Sequence, residues 1–281
     1  MKELNTEIFR NQRFLFVFDL DGTLLNSRQE ISPLTAKVLH ELQRLGNIVT
    51  IASGRPKRAI YPYYHTLGLT GPFICYNGAM ITNPDVEGFE ETHYWIPKDV
   101  IHRFFRDYPE ESFVNYMIED ETDQFYFRKN DAYTYFFHPE GMKIHLGKAK
   151  DIIDKDVMTC VIQGKDTSRN KELEDYVEKN FPEFGLRFWM DSPRFGEFYH
   201  KNHNKSTGID ELVRHYHLDR AHVIAFGDAM NDAQMLSRAG ISFAMTNGAE
   251  PLKHQATYVT RLDNDHDGIA DSLLDLFARE I

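Results

Sequence analysis

Cysteine is scarce in this chain: Cys75 and Cys160 are the two in 281 residues, far apart and each flanked by apolar neighbours. Such a pair does not make the disulfide framework of a small secreted domain, and it reads as two buried free thiols in a reducing compartment. Long apolar runs are missing too, since no stretch reaches the roughly 20 residues that a membrane-spanning helix needs. The segment Met1-Lys-Glu-Leu-Asn-Thr-Glu has none of the basic-then-apolar layout of a secretory leader, so a cytoplasmic location is expected. Positive charge is also in deficit. Lys and Arg total 32 against 43 Asp and Glu, for a net charge of −11. That balance disfavours a nucleic-acid backbone or an anionic membrane as partner, because neither is attracted overall. Material for a core is not lacking: the chain is 42% hydrophobic and 27% charged, an ordinary globular balance. Its length suits one large domain or two small ones.

The most informative segment is Phe14-Leu-Phe-Val-Phe-Asp19-Leu-Asp21-Gly22-Thr23, an apolar run that ends in two carboxylates, a glycine and a hydroxyl. A continuous apolar run predicts a central strand buried on both faces. Two acids at its carboxyl end are costly there unless a cation or a reaction requires them. Alone, the motif could be a turn with a helix cap. Three further segments carry matching chemistry. Asn47-Ile-Val-Thr-Ile-Ala-Ser53-Gly54-Arg55 is a second strand-like run, ending in a hydroxyl, a glycine and a guanidinium. Lys205 follows in Asn202-His-Asn-Lys205-Ser206-Thr207-Gly208, just ahead of a helical pattern. The fourth, His222-Val-Ile-Ala-Phe-Gly227-Asp228-Ala-Met-Asn231-Asp232, again runs from an apolar strand into acids. In open α/β sheets functional groups gather at the carboxyl ends of strands, so four such ends are expected to meet in one crevice.

The pattern alternates strand and helix from residue 14 to about 82. Apolar positions 34, 38, 39, 42 and 45 have helical spacing, introduced by Ser32-Pro33 as cap and first turn. The strand ending at Ser53, a helix opened by Pro56, and a third strand Phe73-Ile-Cys-Tyr-Asn77-Gly78 complete a βαβαβ unit with a parallel sheet. Alternation resumes near residue 205, with helices over 207–216, 233–239 and 269–277 and strands before Asp228, at 241–245 and at 257–259. The middle differs. Short aromatic-rich runs such as Phe104-Phe105, Phe125-Tyr-Phe127, Tyr133-Thr-Tyr-Phe-Phe137 and Met158-Thr-Cys-Val-Ile162 surround one helical stretch at 171–179, with strands at 186–190 and 197–199. The expected architecture is therefore an α/β three-layer, Rossmann-like core with a parallel sheet, formed by residues 1–84 and 200–281, interrupted by an inserted α+β domain at 85–199.

The residue types in the crevice point to phosphoryl transfer. A carboxylate such as Asp19 can attack phosphorus, and a covalent intermediate splits one hard step into two. Asp21, if it turns into the same crevice, can protonate a leaving group and later activate water. Asp228 and Asp232 add negative charge that repels unless a divalent cation sits among the four acids. All-oxygen ligation favours Mg²⁺. Ser53 and Lys205 are suited to donate to the equatorial oxygens of the transferring group.

The order D-x-D-G-T, S-G-R, Lys and G-D-x-x-N-D resembles the haloacid dehalogenase superfamily of phosphohydrolases. The long insert between the second and third motifs, Tyr76-Asn77-Gly78-Ala79 after the third strand, and Asn264-Asp-His-Asp267-Gly268-Ile269-Ala before the last helix are similar to the Cof-type phosphatases with a large α+β cap. The resemblance implies that Asp19 is the nucleophile and Asp21 the general acid/base. Ser53, Lys205, Gly54, Arg55 and Asn231 would bind the phosphate. Mg²⁺ would be held by Asp19, the backbone carbonyl of Asp21 and Asp228, with Asp232 and Asn231 in support. The expected substrate is a small phosphorylated metabolite, with sugar phosphates ahead of vitamin-derived phosphates, acted on by a monomer or small homo-oligomer. A phosphomutase on the same core and a non-catalytic phosphate-binding protein are the alternatives.

Blander readings stand beside several of these residues. Arg55 touches the substrate or pairs with an acid. Asp232 lies in the first turn of a helix, where acids are favoured in any case. Asp263-Asn-Asp265-His-Asp267-Gly268 looks like a calcium loop, but its twelfth position is Leu274 where a glutamate belongs, so it is read as a loop capping the last helix. His200, His203, His215 and His217 lack any metal-site spacing and are read as dispersed surface residues. The aromatic residues of the middle are read as the core of a small sheet domain.

Overall fold

The computed structural model of the protein describes residues 7, 9, 12–189 and 192–278. Residues 93–203 form one compact unit, and the chain before and after them forms the other. Met190, placed at the end of an expected strand, lies outside the described residues.

The discontinuous unit is organised by the strand Leu15–Phe18, whose four side chains have no solvent exposure. A strand can be apolar throughout only if both faces are covered. It pairs in parallel with Val223–Gly227 on one side and Ile48–Ile51 on the other. Ile241–Ala244 and Tyr258–Val259 extend the parallel sheet beyond Val223–Gly227. Successive side chains point to opposite faces. Leu15 and Val17 accordingly pack with Ile209, Leu212, Met235 and Leu236 of the helices Lys205–His215 and Ala233–Arg238. Phe14 and Phe16 meet Phe277, just past the helix Gly268–Leu276, on the other face. The result is three layers, helix on sheet on helix, as the apolar pattern predicts.

The crossover helix Pro33–Arg44 begins where expected: Ser32 Oγ accepts the Thr35 N–H at 3.1 Å and Pro33 occupies the first turn. The next helix, Lys57–Thr66, buries Ala59, Ile60 and Tyr64. The third strand, Phe73–Cys75, joins the sheet through a single parallel bridge, Ala52 to Ile74. It then folds back antiparallel onto Met80–Thr82, a hairpin absent from the sequence reading. One boundary also moves: the helix expected from residue 207 starts at Lys205, so this lysine stands in its first turn.

The inserted unit is a six-stranded sheet in the order Phe184–Phe188, Phe195–His200, Thr159–Gly164, Phe113–Glu119, Asp123–Tyr126, Lys143–Leu146. Neighbours are antiparallel except the last pair, which is parallel. Helices Lys98–Asp107 and Asn170–Asn180 place Ile101, Phe104, Phe105, Leu173 and Val177 in a core with Tyr116, Ile118, Cys160, Ile162 and Phe198. The aromatic residues thus build the core of a small α+β unit. Two of its aromatic runs, to which the sequence reading assigned no element, are helical. Phe104-Phe105 belongs to Lys98–Asp107, in which 101, 104 and 105 share a face. Tyr133–Phe136 belongs to Asp131–Phe136, started by Asn130 accepting the Tyr133 N–H. In both, tertiary burial at helical spacing overrides the β preference of aromatic side chains. Both cysteines are free and buried. Among the described residues no helix is long and apolar enough to cross a membrane.

Candidate active site

The site starts where the central strand stops. After Phe18 the chain makes a wide turn, closed by the Leu24 N–H on the Asp19 carbonyl at 3.2 Å and the Leu25 N–H on the Leu20 carbonyl at 2.9 Å. Gly22 makes the turn possible. Its φ is +71°, and a Cβ there would lie 2.5 Å from Asp228 Oδ2. The turn leaves Asp19 buried at the strand end and sets Thr23 to donate from Oγ1 to Asp228 Oδ1 at 2.9 Å.

Lys205 reaches the same point from the first turn of a helix. Asn204 caps its helix, accepting the N–H groups of Ser206 and Thr207, so the lysine projects from a fixed first turn. Its ammonium has no solvent exposure and bonds both Asp19 Oδ1 and Asp232 Oδ1, the latter at 2.7 Å. The other oxygen of Asp232 accepts the N–H groups of Asp228 and Ala229, each at 3.1 Å. Asp232 therefore orients the lysine with one oxygen and fixes the Asp228 turn with the other.

Burial pushes the Asp19 carboxyl well above the ordinary carboxylate range; Lys205 opposes this, while Asp232, Asp228 and Asp21 reinforce it. Burial, and then Asp232, push Asp228 up to about 6. For Lys205 burial alone would lower the ammonium, but Asp19 and Asp232 carry it above its usual value. One oxygen from each of Asp19, Asp228 and Asp232 lies within 4.8 Å of the others, close enough to share an ion. Three acids against one buried ammonium leave excess negative charge, and the donors are all oxygen. A hard divalent cation fits that donor set.

Ser53 ends the neighbouring strand, buried, with its N–H on the Ile74 carbonyl at 2.9 Å. Its Oγ accepts the Arg55 N–H at 3.1 Å, which leaves the hydroxyl proton to be donated. Arg55, expected among the phosphate-binding groups, is paired with Asp21. Nε meets Oδ2 at 2.8 Å and Nη2 meets Oδ1, a two-pronged pair, while Nη2 also meets Gln29 Oε1 and the guanidinium lies over the Tyr63 ring. The Asp21 side chain is 51% exposed, in contrast to Asp19. Asn231 Nδ2 donates to Asn77 Oδ1 at 3.0 Å.

Asp19, Lys205, Asp228 and Asp232 thus share one network, with Ser53 and Asn231 joined to each other through Asn77, whose N–H bonds the Ser53 carbonyl at 2.9 Å. Asn77 and Thr23 were not picked out for the site by sequence reasoning. For Asn77 the available signal was Asn-Gly directly after a strand, which reads first as a turn. The 263–268 loop also differs from expectation. Asp267 makes no side-chain cap on the last helix. Instead, Asp267 bonds Ser32 Oγ, Asp265 accepts the Ser27 N–H at 2.7 Å, and Asn264 Nδ2 donates to the Leu25 carbonyl at 2.8 Å. Asn247 similarly holds the Gly22 carbonyl at 2.8 Å. Together they tie down the segment following the central strand. Among the described residues, none of the four histidines between 200 and 217 belongs to a group able to hold an ion.

A family model described as haloacid dehalogenase-like hydrolase matches residues 16–273. Over 270 residues the chain is 31% identical to 5-amino-6-(5-phospho-D-ribitylamino)uracil phosphatase YitU of Bacillus subtilis, covering 94% of this chain and 98% of that protein. A haloacid dehalogenase-like hydrolase from Bacteroides thetaiotaomicron superposes with a TM-score of 0.79 at 29% identity, covering 95% of this chain and all of the other. A sugar phosphatase of subclass IIB shares the fold, with a TM-score of 0.76 at 24% identity over 94% of this chain and 98% of its own.

Proposed function

Because the chain belongs to the haloacid dehalogenase-like hydrolase family and is a phosphatase, we propose that it hydrolyses small phosphomonoesters in the presence of Mg²⁺, with the phosphoryl group carried transiently on Asp19. The observation that carries this reading is the position of Asp19. It lies buried at the end of the central strand, bonded to Lys205 and within ion-sharing distance of Asp228. In the first step an Asp19 carboxylate oxygen forms a bond to phosphorus as the bond to the ester oxygen breaks, and Asp21 gives that oxygen its proton. In the second, water attacks phosphorus and gives a proton back to Asp21. The Asp19–phosphorus bond breaks, phosphate leaves and both acids return to their starting state. The half-exposed position of Asp21 suits a leaving group released to solvent.

Lys205 and the Ser53 hydroxyl donate to the phosphoryl oxygens, with Gly54 and Asn231 completing the cradle. Mg²⁺ on Asp19, Asp228 and the backbone carbonyl of Asp21 would offset both the repulsion among the acids and the charge on the phosphoryl oxygens. Asp232 anchors Lys205 and the turn that carries Asp228. Arg55 holds Asp21 in place. We put sugar and polyol phosphates first as substrates. The relative at 31% identity is named for an ester of a ribityl chain, a polyol phosphate with a flat head, which supports that class.

Phosphate release from a panel of sugar, polyol and vitamin-derived phosphomonoesters, with and without Mg²⁺, tests the reading. Metal-dependent release is expected, falling by about a thousandfold or more in Asp19→Asn. Release that survives chelation or the substitution unchanged would contradict it. Turnover that depends on a phosphorylated primer and returns phosphate to the sugar would point to a mutase.

A further inference from the structure

Three consecutive residues after the strand Phe73–Cys75 have positive φ: Tyr76 at 47°, Asn77 at 55° and Gly78 at 104°. Tyrosine is rarely found there, and such a run persists only where its surroundings impose it. On one side, the Tyr76 N–H bonds the Arg55 carbonyl at 3.2 Å and the Asn77 N–H bonds the Ser53 carbonyl at 2.9 Å. On the other, Gly78 is so close to Asn204, the cap of the Lys205 helix, that a Cβ would lie 2.2 Å from its backbone. The turn is wedged between two segments that the proposed function places on the phosphoryl group.

The Asn77 side chain is buried at the centre of this arrangement. Its Oδ1 accepts from Asn231 Nδ2 at 3.0 Å. Its amide lies so close under Gly54 that a Cβ there would be 3.0 Å from Nδ2. One side chain therefore touches Gly54 and Asn231, which lie in segments that follow two different strands. Resting on the phosphatase reading above, we propose that Asn77 is a positioning residue for phosphoryl binding. By engaging one N–H of the Asn231 amide it turns the other toward the crevice, and by filling the space under Gly54 it fixes the peptide that faces the phosphoryl oxygens. Asn77 itself need not touch the substrate.

Asn77→Gly separates this role from turn-making, because glycine suits a φ of 55° at least as well as asparagine while removing the side chain. Binding of inorganic phosphate in Mg²⁺ is read by calorimetry, and kcat/KM on the best ester from the panel is read alongside. The variant should melt close to the wild type, while phosphate affinity and kcat/KM fall about 10- to 100-fold, the size expected when a reacting group is slightly misplaced. Because part of its action runs through Asn231 and part through Gly54, adding Asn77→Gly to Asn231→Ala should cost less than it does alone, while still costing something. Unchanged phosphate affinity in Asn77→Gly, losses that multiply in the double variant, or a variant that melts far below the wild type would each overturn the proposal. If the wild type binds no phosphate, the phosphatase reading falls with it. If the wild type binds phosphate and Asn77→Gly binds it equally well, only this inference falls.

Discussion

Asp228 binds its proton more tightly in the folded protein than in the unfolded chain, since burial and Asp232 push it up to about 6. A carboxyl raised in this way contributes stability that is fully present below about pH 4 and is lost as pH rises through 6. The metal-free wild type should therefore lose thermal stability relative to Asp228→Asn between about pH 4 and pH 7, the variant having no such group to ionise. Mg²⁺ should restore the wild type at the upper end of that range and do little for the variant. Parallel pH profiles for the two metal-free proteins would contradict the assignment. Arg55 makes a second test at this scale. Its guanidinium is committed to Asp21, so Arg55→Leu should lower kcat about tenfold or more while leaving the affinity for inorganic phosphate nearly unchanged. Weakened phosphate binding with kcat preserved would return Arg55 to the phosphate cradle. From the sequence these two outcomes were indistinguishable, because S-G-R fixes the position of the guanidinium along the chain but not the direction of a long, flexible side chain.

At the scale of elements, the turn after the central strand is the most demanding piece of backbone. Gly22→Ala would place a methyl group against Asp228 at a φ of +71°, so it should cost about 1–3 kcal/mol in stability and abolish stabilisation by Mg²⁺. A variant with wild-type melting and wild-type metal response would show that the turn is less constrained than its geometry indicates. The strands that end in this site were legible because a strand covered on both faces must be apolar without interruption, as at Leu15–Phe18 and Val223–Gly227. The acids that follow stand out against such a background. The strand Met80–Thr82 and the helix Asp131–Phe136 were not legible. Each is short, and its identity is set by partners distant in sequence: the hairpin partner Phe73–Cys75 for one, and for the other the cluster of Tyr126, Tyr133, Phe137, Trp189 and Phe195. The role of the 263–268 loop was hidden for the same reason. Its acids bond residues 27 and 32, more than two hundred positions away.

Across the whole molecule, the site is assembled from chain on both sides of the inserted unit. Asp19, Asp21, Ser53 and Asn77 come from before it, and Lys205, Asp228, Asn231 and Asp232 from after it. The parallel pairing of Leu15–Phe18 with Val223–Gly227 brings the halves together and fixes the register that places Asp19 beside Asp228. For Asp19, Ser53 and Asp228 that convergence was foreseeable from strand ends, since topology sends the carboxyl ends of parallel strands to one edge, whereas Lys205 arrives from the first turn of a helix. The network linking them through Asn77 was not, because it depends on a backbone turn in an uncommon conformation. The central claim is that this assembled site passes phosphate through a covalent bond to Asp19. The most direct measurement is the stereochemical course at phosphorus, using a phosphorothioate ester made chiral there by oxygen isotopes and hydrolysed in isotopically labelled water, so that the thiophosphate released is itself chiral. Two successive in-line displacements, the first by Asp19 and the second by water, predict overall retention of configuration. Overall inversion would mean that water attacks the ester directly, and would contradict the account.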